Sequence, residues 1–298
     1  PVLILGETGT GKEVFAQAIH DNSPRAQGDF VVVDCSALPD HLVESTLFGH
    51  KKGAFTSADS DRIGLVEQAH DGTLFLDEIG EIPKNIQKKF LRVLQEKRFL
   101  PVGGRKEVKS DFRLICATNR DLSKMVEDGN FRQDLYYRIC TIVIELPPLR
   151  DRTEDIAELT AHYMNHHPHF AGRDPYMLSQ NLLEALQSYS WPGNVRELFN
   201  IIDCICSENP RDSEIFPMHL PTHIRAEVTR NRIRASIDNT RIQQTPNADA
   251  GDRKLMPLKQ LLEQTRFDYI KKLMSVANGD VTEACRISEL SRGHLYDL

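Results

Sequence analysis

A chain of 298 residues is long enough for two or three hydrophobic cores. With 40% apolar and 27% charged residues it has an ordinary soluble composition, and no apolar run reaches the length of a membrane span. A formal net charge of -6 excludes a uniformly basic nucleic-acid domain, so any such contact rests on a local patch.

The elements follow in chain order. Apolar runs at 2–5 (VLIL), 30–34 (FVVVD), 73–77 (TLFLD), 112–116 (FRLIC) and 142–145 (IVIE) read as strands. Helical spacing falls between them at 12–21 and 84–96, the latter with Ile86, Phe90, Leu91 and Leu94 on one stripe. Strands apolar almost throughout predict a mainly parallel sheet covered on both faces. From 150 to about 224 the pattern is helical only, with helices expected over 154–165, 179–188 and 194–206. Residues 225–254 are polar and read as a linker, helical at its start. From 255 a helical unit supplies Leu258, Leu261, Leu262, Phe267, Ile270 and Leu273, followed by two short helices around a turn.

Chemistry concentrates in the first half. Gly6-Glu7-Thr8-Gly9-Thr10-Gly11-Lys12 joins the first strand to a helix, so glycine-rich backbone can wrap a phosphate and Lys12 can reach its outer oxygens. Glu13 follows where a magnesium-binding hydroxyl is common. Asp77-Glu78 ends the third strand, where Asp77 can hold Mg2+ and Glu78 can polarise an attacking water. Thr118-Asn119, after the fourth strand, can sense the terminal phosphate. Arg132 and Arg138 offer rigid cationic forks for a developing phosphate charge, and Arg196 can close on nucleotide from the helical region. Surface ion pairs are the plainer reading of these arginines. Cys35, Cys116, Cys140, Cys204, Cys206 and Cys285 lack metal-ligand spacing and read as buried thiols of a reducing compartment, the cytoplasm. His162, His166, His167 and His169 read as surface histidines, and no metal is assigned to them.

Together, GETGTGKE, ESTLFGHKKGAFTSA, GTLFLDEIGE, FRQDLYYR, LPPLRDR and WPGNVREL make the chain resemble the AAA+ ATPase core of bacterial enhancer-binding proteins, the NtrC-like activators of sigma-54 RNA polymerase. The resemblance implies an α/β P-loop NTPase with a parallel 5-1-4-3-2 sheet (1–149) and a helical lid (150–224). After the linker (225–254) it implies an all-α Fis-like helix-turn-helix (255–298). It further implies ATP with Mg2+, and Walker motifs over 6–13 and 73–78 with Thr118-Asn119 as first sensor. Arg132 and Arg138 become fingers reaching a neighbouring subunit's site, and Arg196 a second sensor within its own subunit. Dimers and a hexamer-like ring, palindromic double-stranded DNA and sigma-54 RNA polymerase are the implied partners, and a membrane is not. Because the chain starts at Pro1, directly before a buried strand, the expectation is a fragment of a longer protein that lacks the leader of its ATPase domain.

Gly53, Ala54, Phe55, Thr56, Ser57 and Ala58 match the loop that contacts sigma-54 in this family, with Phe55 and Thr56 as the contacting pair. The neighbouring segment 98–111 would lie beside it as a second loop. Three departures stand out. Ser57 replaces a glycine; Asp34 replaces an asparagine that restrains the Walker B glutamate, so that its charge would oppose Glu78; and Asp71 replaces a glycine. At the far end Ser291, Arg292, Gly293, His294 and Tyr296 would open a recognition helix, with Glu289 in place of a turn glycine. Two alternatives stay open: a related regulator that acts on polymerase without sigma-54 remodelling, and a DNA-binding scaffold with little turnover.

Overall fold

The first strand is apolar throughout because both of its faces are covered. In chain order the elements are β1 (Val2–Leu5), α1 (Lys12–Asp21), β2 (Phe30–Asp34), α2 (Asp40–Phe48), α3 (Leu65–Gln68) and β3 (Thr73–Asp77). Then come α4 (Lys84–Glu96), β4 (Arg98–Phe99), β5 (Val108–Lys109), β6 (Arg113–Thr118), α5 (Leu122–Glu127), α6 (Gln133–Ile139) and β7 (Val143–Glu145). Five strands form one parallel sheet in the order β2-β3-β6-β1-β7. Numbered among themselves, these five run 5-1-4-3-2, the order the resemblance implied.

Side chains alternate across the strands. Leu3, Leu74, Leu76 and Cys116 join Ile86 and Phe90 of α4 and Leu135 of α6 in one core. Val2, Ile4, Phe75, Ile115 and Ala117 meet Ala16 of α1 on the opposite face. The fourth central strand runs to Thr118, two residues beyond its expected end, because Leu5 of β1 pairs with Thr118. Segment 98–111, expected as a loop, contains the antiparallel β4–β5 ribbon.

The lid holds α7 (Asp155–His166), α8 (Gln180–Gln187), α9 (Asn194–Glu208), the short β8 (Met177–Leu178) and β9 (Glu214–Ile215), and a helix over 222–231. Its core gathers Leu182, Leu186, Trp191, Leu198, Ile202 and Ile205. The last helix crosses residue 225, the start of the polar segment expected as a linker, and buries Ile224 and Val228 in the lid core.

The computed structural model describes residues 1–55, 58–166, 177–208 and 214–231, together with Lys271, Leu273, Val281, Arg286 and Ile287. The chain divides into two units, Pro1–Asp238 and Asn239–Leu298. Ser291, Arg292, Gly293, His294 and Tyr296 of the expected recognition helix, and Thr56 and Ser57 of the partner loop, lie outside the described residues.

Candidate functional site

The glycine loop turns β1 into α1. Gly9 and Gly11 adopt φ of +82° and +100°, a region that admits glycine at low cost. Lys12 is buried and its Nζ donates to the carbonyls of Gly6 (3.0 Å) and Glu7 (3.2 Å). The same ammonium lies 3.6 Å from Glu78 Oε1. Glu78 follows β3 in a left-handed turn, φ +51°, which swings its carboxylate toward β6. There Oε2 accepts from Thr118 Oγ1 and from the Asn119 amide, each at 3.1 Å. Asn119 Nδ2 donates to Thr8 Oγ1 (3.0 Å), which joins the glycine loop to the end of the fourth central strand.

A cleft of about 610 Å3 opens here, lined by Lys12, Asp34, Asp77, Glu78, Asn119 and Arg196 among others. Burial, and then the Glu78 charge, raise the Asp77 pKa from its usual value. That crowding of negative charge is the setting a divalent cation relieves. Among the described residues no group of three or more His, Cys, Asp or Glu could hold a metal by itself. A lone carboxylate such as Asp77 suits an ion whose coordination is completed by phosphate and water, the usual habit of Mg2+.

Asp34 lines the same cleft as Glu78, and its carboxylate is also held by a local turn. Its Oδ1 accepts from Ser36 N (2.9 Å), Ser36 Oγ (2.6 Å) and Ala37 N (3.3 Å), a turn that keeps the carboxylate on its own chain. The Ser36 hydroxyl bond holds the Asp34 pKa below its usual value. Asp34 pairs in register with Asp77, and its charge adds to the upward push on that carboxyl. Asp71, in place of a glycine, takes φ +59°, the conformation a glycine there would supply.

Glu7 stands in the loop whose backbone was expected to wrap the phosphate. Its carboxylate faces the lid, where Arg150 grips both oxygens at 2.6 and 2.9 Å. Asn194 Nδ2 adds a bond to Glu7 at 3.1 Å, and these partners, Arg150 first, lower the Glu7 pKa to about 2. Arg150 and Asn194 belong to LPPLRDR and WPGNVREL, so the signal was present, but only Arg196 of those segments had been given a role. Within the loop Thr10 Oγ1 donates to the Glu7 carbonyl, and Glu13, in the first turn of α1, lines the cleft.

Arg132 and Arg138 are not among the residues lining this cleft. Arg132 precedes α6 and forks onto Asp134 at 3.0 and 2.6 Å, while Arg138 Nη2 donates to the Leu94 carbonyl at 3.3 Å. The 53–58 loop follows His50, which bridges both to Arg62 and to Val102. Gly53 turns at φ +81°, Ala58 is buried, and Ala58 N donates to the Phe55 carbonyl (3.0 Å). Gly103 lies against Ala54, so the 98–111 segment does flank this loop. Phe55 is half-buried and meets the His50 ring edge-on, centroids 4.9 Å apart, rather than projecting freely.

Comparison with known proteins places this geometry. Residues 1–145 match the Sigma-54 interaction domain, and 150–236 match the AAA+ ATPase lid domain. Regulatory protein AtoC of Escherichia coli (strain K12) is 51% identical over 227 residues, 76% of this chain and 49% of AtoC. DNA-binding transcriptional regulator NtrC of Rhizobium meliloti (strain 1021) is 43% identical over 268 residues, 90% of this chain and 52% of NtrC. The chain thus spans about half the length of these curated relatives. Among solved structures, NtrX from Brucella abortus in complex with ATP aligns over 99% of this chain and 62% of its own, with TM-score 0.68 and 30% identity. Hsp104, at 19% identity and TM-score 0.52, shares the fold alone. The chain belongs to the NtrC-like family, with a Sigma-54 interaction domain followed by an AAA+ ATPase lid domain.

Proposed function

We propose that this chain binds ATP with Mg2+, hydrolyses it, and transmits the resulting movement through the 53–58 loop to sigma-54 RNA polymerase. The observation that carries the reading is the closed network of Lys12, Glu78, Thr118 and Asn119 around one cleft, in a domain matching the Sigma-54 interaction domain. Lys12 would exchange its carbonyl partners for phosphate oxygens. Glu78 would then orient and deprotonate water once the Thr118 and Asn119 bonds release it. Asp77 would hold Mg2+, which supplies charge neutralisation on the phosphates when bound. Asn119 and Arg196 face the same cleft and would read the terminal phosphate.

Arg132 and Arg138 lie outside their own cleft, which favours their action on a neighbouring subunit's nucleotide in a ring. Asp34 would set the release of Glu78 indirectly, through the charge it shares with Asp77. DNA binding by residues 255–298 at two-fold sites, through Ser291, Arg292, Gly293, His294 and Tyr296, completes the reading. The test is binding to isolated sigma-54 with ATP and with a transition-state mimic of its terminal phosphate. Nucleotide-dependent binding that Thr56→Ala removes is the expected result, with Ser57→Gly as the companion form. Intact ATPase activity without sigma-54 binding would refute the partner assignment, and recovery in Ser57→Gly would locate the defect at that residue.

A further inference from the structure

Four consecutive residues of the glycine loop turn acceptors away from the cleft and onto the lid. Arg150 and Asn194 hold the Glu7 carboxylate, and Asn194 Nδ2 also donates to the Thr8 carbonyl at 3.1 Å. The Gly9 carbonyl accepts the amides of Val195 (3.0 Å) and Arg196 (3.3 Å), and Arg152 Nη2 donates to the Thr10 carbonyl at 2.9 Å. The arrangement follows from backbone geometry, because a loop whose N–H groups converge on an anion presents its carbonyls outward. Asn194 is fully buried at φ +52°, and its Oδ1 accepts the Leu149 amide at 2.8 Å, so one side chain ties the loop, the hinge segment and α9 together.

We propose that Glu7, Arg150 and Asn194 are positioning residues that convert phosphate occupancy of the glycine loop into a set angle of the lid. This rests on the reading of that loop as the ATP site. Lys12 now donates to the Glu7 carbonyl. A phosphate that draws the ammonium away releases that peptide, and the side chain of the same residue is the lid's anchor. The bidentate fork passes on orientation as well as attraction. Arg150 and Glu7 are each 44% exposed, so their ion pair contributes little to stability by itself, and its role is geometric. Buried Asn194 supplies the rigidity.

The experiment is hydrogen exchange at the Val195 and Arg196 amides of the whole chain, with and without saturating ADP, with occupancy set by calorimetry. Glu7→Gln, Arg150→Gln and Arg150→Lys are compared with the unaltered protein. The coupling predicts an ADP-dependent change of roughly 5- to 150-fold in exchange. That change should collapse in both Gln variants, be no smaller still in the double variant, and partly return in Arg150→Lys. A brace without coupling would alter exchange in the absence of ADP and leave the ADP-dependent ratio intact; that result overturns the inference alone. Failure of the unaltered protein to bind ADP would overturn the ATP reading and this inference with it.

Discussion

Replacing Asn194 by alanine strips three hydrogen bonds from the joint between the ATPase domain and its lid. The Leu149 amide, inside a residue with no exposed surface, loses its only acceptor in this network, at a cost of about 1–3 kcal/mol. The bond to the Thr8 carbonyl contributes about 0.5–1.5 kcal/mol, whereas Glu7 rehydrates and loses under about 1 kcal/mol. Alanine also tolerates φ +52° less well than asparagine, by about 1 kcal/mol. Together the expected loss is roughly 2.5–6.5 kcal/mol. Trp191, the chain's single tryptophan, is buried three residues away with Nε1 donating to the Leu186 carbonyl, and reports lid unfolding by fluorescence. Urea titration should show an earlier lid transition with little change of slope, while the sheet, followed by circular dichroism, shifts less. A shift of the Trp191 transition worth under about 1 kcal/mol would refute the account of Asn194 as the buried tie.

Glu78→Gln should keep the acceptor for Thr118 and Asn119 and bind ATP, yet lower single-turnover hydrolysis by about 10²–10⁴-fold; an undiminished rate would remove Glu78 from the base role. Acid should weaken the lid joint in a defined window. The Glu7 pKa is depressed from 4.5 to about 2, so its contribution, small because the pair is 44% exposed and screened, is complete above 4.5 and fades as pH falls toward 2. Trp191-monitored unfolding of Glu7→Gln should therefore lose that segment of the acid dependence, and a curve parallel to the unaltered protein's would contradict it. Asp71→Gly should raise the midpoint of thermal unfolding slightly, by relieving φ +59° at a cost now of order 1 kcal/mol; a lowered midpoint would show that the Asp71 side chain matters more than its backbone.

Strand positions, the helices of the lid, the glycine loop and the Asp77-Glu78 pair were legible in the sequence, because each is set by local period or turn chemistry. VLIL and TLFLD declare strands covered on both faces, and glycines at positions 9 and 11 declare a loop with φ above zero. The residues that surround a carboxylate were another matter. A serine two residues on bonds the Asp34 carboxylate, and a left-handed backbone turns Glu78 toward Thr118. Glu7 finds Arg150 and Asn194 across separations of 143 and 187 residues, which no window of sequence can rank against nearer partners. Local chemistry thus determined which groups this protein possesses. The tertiary structure decided which of them meet, because a side chain's partner depends on backbone direction and on the packing of elements far apart in the chain.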